Sequence, residues 1–369
     1  MEFVWSPLYL PGALFLLLGL VQLLTHRTVD SISTRNSMIE LAGVLVSFSL
    51  TLQLSTAKNP DAWRTVGLGV IVYTFAMALF AVIQYLSSGG KLFWRITPHT
   101  GGWIFGPYVN HDHYAGLMEM LIPLSAGFAM ALYRRHRVTI AISFAILFAI
   151  ASVLLSGSRG GLICLLLEAG LFLFALLENQ SDRRASSVII QVAAALAIAF
   201  VAFLWMDSGQ VVKHLETVFE PSHASDVSFT YRRQTALDSL RLFREHWPLG
   251  TGLGSFQYGF PKYQSLPGDA VWDHAHDDFV EALAETGVAG GLLVLSALII
   301  WFRLAFRRLR QRLRTGSGWI QFGAALGCCG LLLHSLFDFN LHIPANALWF
   351  AVCAALATAP TSMRQLPQS

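Results

Sequence analysis

The chain has 369 residues, of which 54% are hydrophobic and only 13% charged, with a formal net charge of +3. That balance excludes an ordinary soluble domain. The small charge forms no soluble basic patch, which argues against a nucleic-acid partner.

Apolar runs close to the roughly 20 residues that cross a hydrocarbon core of about 30 Å recur from end to end. The expected fold is therefore all-α, a polytopic transmembrane helical bundle forming a single integral membrane domain over 1–369. About ten spans are predicted, at 8–24, 38–55, 65–86, 114–133, 138–155, 161–178, 187–206, 285–302, 318–337 and 345–359. The first run has no basic region before it and no small-residue cleavage site after it, so it reads as a retained helix. Cys164, Cys328, Cys329 and Cys353 all fall inside apolar runs, away from loops where a disulfide framework or Cys-rich zinc site forms.

An even number of spans puts both termini on one side. The connections holding Lys58 and Arg64, then Arg134, Arg135 and Arg137, then Arg183 and Arg184, and finally Arg303 to Arg314 share that side, which the positive-inside rule makes cytoplasmic. The opposite, outer face then receives 25–37, 87–113, 156–160, 207–284 and 338–344. Eleven of the twelve histidines go there, counting His334 near a span end, and only His136 does not, so chemistry is expected on that face. The segment 207–284 is too long for a plain connector and is expected to carry helices of its own.

Arg159, in SGSRGG between the fifth and sixth spans, is a cation where cations are expensive. Its guanidinium suits phosphate oxygens, against the alternative of an interfacial arginine reaching for headgroups. In the long loop, Leu237, Leu240 and Phe243 recur at helical spacing over Tyr231 to Trp247, which predicts an amphipathic helix against the membrane. Arg232 and Arg233 would open it, where an anion would gain from both the dipole and the arginines. Pro248 ends that helix, and Gly250, Gly252 and Gly254 permit unusual turns; G-T-G-L-G is also a weak phosphate-loop signal.

The segment DHAHDDF supplies His274, His276, Asp277 and Asp278. An imidazole there can take a proton from a sugar hydroxyl while an adjacent carboxylate orients the ring. A polar interfacial turn competes with that reading, as does a zinc site joining His274 and His276 to His111 and His113. HSLFDFNLHIPAN places His334, Asp338, Asn340 and His342 at the same interface, as helix caps or as part of a site. Glu119 and Glu168 lie in apolar runs with no role assigned.

The ordered set VNHDHYAG, LSGSRGG, an arginine-bearing loop helix, PLGTGLGSF, A-H-D-D-F and HSLFDFNLHIPANA resembles the bacterial O-antigen ligase and polymerase family, from about Asn110 to Ala347. The resemblance implies a glycosyltransferase C-type architecture. It further implies metal-independent, cofactor-free, inverting transfer of a glycan from undecaprenyl pyrophosphate to a hydroxyl of lipid A-core or of a glycan acceptor. Arg159 and Arg233 match the family's pyrophosphate-contacting arginines, and His276 matches the proposed activator of the acceptor hydroxyl. Asp277 replaces a frequent asparagine, and Leu237 a frequent tryptophan.

Arg159, Arg233 and His276 are accordingly the expected catalytic residues, converging on one cleft. Arg232, His113, Asp277, His334, Asp338 and His342 are candidate substrate-binding residues. Arg232 is also expected to turn from the cleft, about 100° around the helix from Arg233. A transporter or flippase of a lipid-linked anion is the alternative from another class, although such proteins often carry paired repeats and broken helices at the membrane midplane.

Overall fold

The computed structural model describes residues 3–56, 60–98, 103–132, 136–178, 224–265, 272–312 and 315–360. These residues form α1 (Tyr9–Leu24), α2 (Ser31–Leu54), α3 (Pro60–Ser87), α4 (His111–Leu132), α5 (His136–Ser156) and α6 (Arg159–Glu178). There follow α7 (Ala224–Glu245), α8 (Asp278–Arg312), α9 (Gly316–His334) and α10 (Pro344–Thr358). Among the described residues there is no strand beyond two isolated bridges. Seven of the helices are long and apolar enough to cross a membrane, and α1 and α10 are shorter apolar helices. The protein is thus a polytopic helical membrane protein. The predicted span 187–206 lies outside the described residues.

Contacts divide the chain into two compact units, each described by itself. The first comprises Met1–Gln53, Pro221–Phe306 and Ser335–Val352. Here the side chain of Gln53 on α2 bonds both backbone groups of Val4, at 2.9 and 3.0 Å, securing the chain before α1. Leu242, Phe256, Phe260, Ala275 and Ala284 form a core, with Tyr263 and Trp272 packed against it. That core gathers α7, the turns after it and the start of α8 around one apolar nucleus.

Helix α7 begins at Ala224, so Arg232 and Arg233 lie more than two turns inside it rather than opening it. The expected gain from the dipole at this pair is therefore absent, because that field is concentrated in the first turn. The packed face of α7 is Thr235, Asp238, Ser239 and Leu242, while Leu237 and Leu240 are exposed. Asp238 is fully buried but satisfied by the backbone and hydroxyl of Ser265 and by Gln234 and Arg241.

The second unit comprises Leu54–Glu220, Arg307–His334 and Cys353–Ser369. Its centre is the pair α4 and α9, whose apolar windows are 72% and 78% buried, against 28% for α3, α5 and α6. The sequence allows this because Gly323 and Gly327 stand four apart on α9. A Cβ at Gly327 would lie 2.7 Å from the Met120 Cα, so only hydrogen permits that backbone approach. Without a hydrophobic drive between helices in lipid, such close packing is what holds them together. Buried polar groups share this interior: His334 Nδ1 lies 2.8 Å from Glu119 Oε1, and Glu168 of α6 packs against Gly330.

Candidate active site

In the first unit, two turns meet: residues 272–278, leading into α8, and residues 335–343, between α9 and α10. His276 has φ of 55°, a left-handed conformation that residues other than glycine rarely adopt. Its ring packs edge-on against Trp272 and Phe339 and is 20% exposed. Its Nδ1 is 3.3 Å from Asp338 Oδ1, a carboxylate with no exposure. Donation from Nδ1 to Asp338 leaves Nε2 as the acceptor, the tautomer a general base needs.

The carboxylate that orients His276 is therefore Asp338, 62 positions away, and not the adjacent Asp277. Asp277 accepts the Phe279 and Val280 amides, both at 3.0 Å, and so caps α8. Burial, opposed by these two amides, raises its pKa above the usual carboxylate value. Arg232 donates to the Phe337 carbonyl at 3.0 Å, which ties it to the turn carrying Asp338 instead of turning it away. Arg233 is exposed on the same helix.

A second set of ionisable groups lies in the same two turns. His342 Nδ1 is 2.6 Å from Asp278 Oδ1, and its Nε2 is 3.4 Å from Glu281 Oε1. His274 Nδ1 is 2.7 Å from that same Glu281 oxygen. Burial opposes a charged His342, but the carboxylates of Glu281, Asp278 and Glu285 outweigh it and push its pKa up to about 10. Ligating atoms of His274, Glu281 and His342 lie within 4.8 Å of one another, close enough to share a metal ion. The same spacing is satisfied by protons alone, with both ring nitrogens of His342 and Nδ1 of His274 meeting a carboxylate.

The glycine-rich turn is built from the positive φ values of Gly250, Gly252 and Gly254, as its sequence suggests. Its amides are not open to phosphate, however. Glu285 accepts Gly254 N–H and Phe256 N–H through its carboxylate, at 2.8 and 2.9 Å, and Gly252 N–H through its carbonyl. Gln22 of α1 accepts Leu253 N–H and donates to the Leu249 and Glu285 carbonyls. Sequence reasoning missed Gln22, Glu281 and Glu285. A signal existed for the last two, since Asp278, Glu281 and Glu285 recur three and four apart on one helical face ahead of an apolar run.

In the second unit, Arg159 is the first residue of α6 and is exposed. Gly157, with φ of 75°, makes the turn before it. Ser158 caps the helix by accepting Gly161 N–H at 3.0 Å, and its hydroxyl donates to Asp112 Oδ1 at 2.7 Å. His113 is buried on α4 beside Asp112. A Cβ on Gly160 would sit 2.6 Å from His334 Nε2, so glycine there lets α6 meet the end of α9. The pairing of a helix N-terminus with an arginine, expected at Arg232 and Arg233, is found instead at Arg159.

The described chain is thus a hydrophobic helical membrane protein whose first unit holds a carboxylate-oriented histidine and whose second unit holds an arginine at a helix start. Residues 144–295, the central segment of the chain, match the family model described as O-antigen ligase. The matched range includes Arg159, Arg233 and His276 but ends before Asp338 and His342. Among curated proteins none matches the chain.

Proposed function

We propose that the chain transfers a glycan from undecaprenyl pyrophosphate to an acceptor hydroxyl of lipid A-core or of another glycan, at the periplasmic face of the bacterial inner membrane. The observation that carries this reading is His276 Nδ1 directed at the buried Asp338 carboxylate. The family match supports glycan transfer as the reaction class.

His276 Nε2 takes the proton of the acceptor hydroxyl as the oxygen attacks the anomeric carbon. Asp338 stabilises the resulting imidazolium. The bond to pyrophosphate breaks on the opposite face of the sugar, which inverts the anomeric centre, and Arg159 and Arg233 meet the charge growing on the leaving group. Arg232 holds the Asp338 turn, while His113 and His334 belong to the buried polar set near Arg159. The sugar arrives activated by its carrier, so the scheme uses neither nucleotide nor metal. A glycosyltransferase C-type architecture with both termini cytoplasmic accommodates these roles.

The test supplies purified protein with a lipid-linked oligosaccharide and candidate acceptors. Wild type should form product with inverted configuration in the presence of chelator. His276→Ala should slow transfer by about 100-fold or more while still binding donor. A fully active His276→Ala protein would remove the mechanism. Movement of the donor across a bilayer without transfer would establish the transporter reading instead.

A further inference from the structure

The strained backbone at His276 needs something to hold it. On one side, Ala275 N–H donates to Glu281 Oε2 at 2.7 Å, and the His274 ring bonds Glu281 and stacks on Phe339 with centroids 4.1 Å apart. On the other, Asp278 N–H donates to the Ser335 carbonyl at 2.9 Å, and Asp278 Oδ2 accepts Leu341 N–H at 2.9 Å. Glu281 and Asp278 are 1% and 4% exposed, so two buried carboxylates control the two ends of the turn. Between them stands one imidazole, that of His342, reaching both. Unneutralised carboxylates this deeply buried would repel one another and be costly.

We propose that His342, as an imidazolium shared by Asp278 and Glu281 and backed by His274, is a positioning residue that locks the 272–278 turn and so presents His276 to the acceptor hydroxyl. The inference rests on the proposed transfer reaction and adds to it a second histidine acting through the first. The titratable groups facing His342 are Asp278, Glu281 and Glu285 of α8 and His274 of the turn. All three carboxylates favour the charged ring. His342 does not touch the reacting atoms; its cation closes a brace joining two segments more than 60 positions apart.

Hydrogen exchange on the full-length protein in detergent reads the lock without any reference to activity. In His342→Ala, the Ala275 and Leu341 amides should exchange faster by about tenfold or more, with distant helices unchanged. His342→Gln, which keeps polar ends without charge, should fall between and covers the case in which the alanine protein does not fold. In transfer assays kcat should drop by roughly 100-fold with donor KM unchanged, because the fault is one of alignment. His276→Ala should leave both amides at wild-type protection, so loss of the base and loss of the lock are separable. Wild-type exchange in both His342 variants would overturn the proposal. So would one zinc per chain held by His274, Glu281 and His342, which would make a metal rather than a proton the closing element.

Discussion

Two glycine-marked turns, GTGLGSF at 250–256 and SGSRGG at 156–161, look alike as phosphate-binding sequences but differ in the side chains they set at the surface. In the first, every amide from Gly250 to Phe256 is bonded within the protein, to His246, Ala284, Glu285, Gln22 and Gly252. Its glycines serve backbone packing. In the second, Ser158 takes the Gly161 amide, and an exposed arginine stands at the start of α6. Glycine content alone does not identify an anion site, because the amides of the first turn are all bonded within the protein.

The sharpest test of this contrast is a pair of substitutions with opposite readouts. Arg159→Lys keeps the charge but loses the planar fork, and should cut transfer about 10- to 100-fold, the worth of charge-assisted bonds of about 1.5–3 kcal/mol, with no change in melting. Glu285→Ala should do the reverse. It leaves the Gly254 and Phe256 amides without their acceptor, at about 1–3 kcal/mol each, and should lower the melting midpoint in detergent far more than it alters donor affinity. Equal effects of the two on both readouts would erase the distinction.

Adding a methyl group to each turn gives a smaller contrast. At Gly157 a Cβ would meet nothing nearer than Trp103 at 3.9 Å, so alanine should cost only the left-handed backbone, about 1–2 kcal/mol. At Gly250 it would run into the Glu285 backbone, so alanine there should destabilise far more in the same melting assay.

A further expected effect is a dependence on pH. The folded pKa of His342 is raised to about 10, so the stability its charge supplies is complete below its ordinary pKa near 6.5 and is lost as pH rises through 10. Melting midpoints should therefore decline toward pH 10, and the decline should flatten in His342→Gln. A decline that persists unchanged in the variant would assign it to another group.

Apolar length was readable from the sequence because hydropathy records it directly. Each predicted span within the described residues coincides with a helix, including the short α1 and α10. Polar ends were harder to read. Helix α8 starts at Asp278, seven positions before its predicted span, because three carboxylates that hydropathy counts against a membrane helix are satisfied by His342, His274 and the glycine-rich turn. His276 stood out by chemistry, but its partner did not: adjacency favoured Asp277, whereas the chain's return brings Asp338. Likewise, the helix holding Arg232 and Arg233 starts earlier than its apolar spacing suggested, so their relation to the dipole could not be read from the arginines alone.

Helix α8 is broken at Gly287, where φ is 63° and ψ is −163°, and a Cβ would lie 2.6 Å from the Trp247 carbonyl oxygen. Val288 N–H donates to that carbonyl at 2.8 Å, so the interruption leaves no stray donor there. The break acts as a bulkhead. Asp278, Glu281 and Glu285 stay on the near side, and the stretch from Val288 to Arg312 begins afresh, at about 1.5 Å per residue still long enough to cross the bilayer. The segment that carries the three carboxylates is thus separated by a backbone break from the stretch that crosses the bilayer, and substitutions on either side of Gly287 fall on different helical pieces.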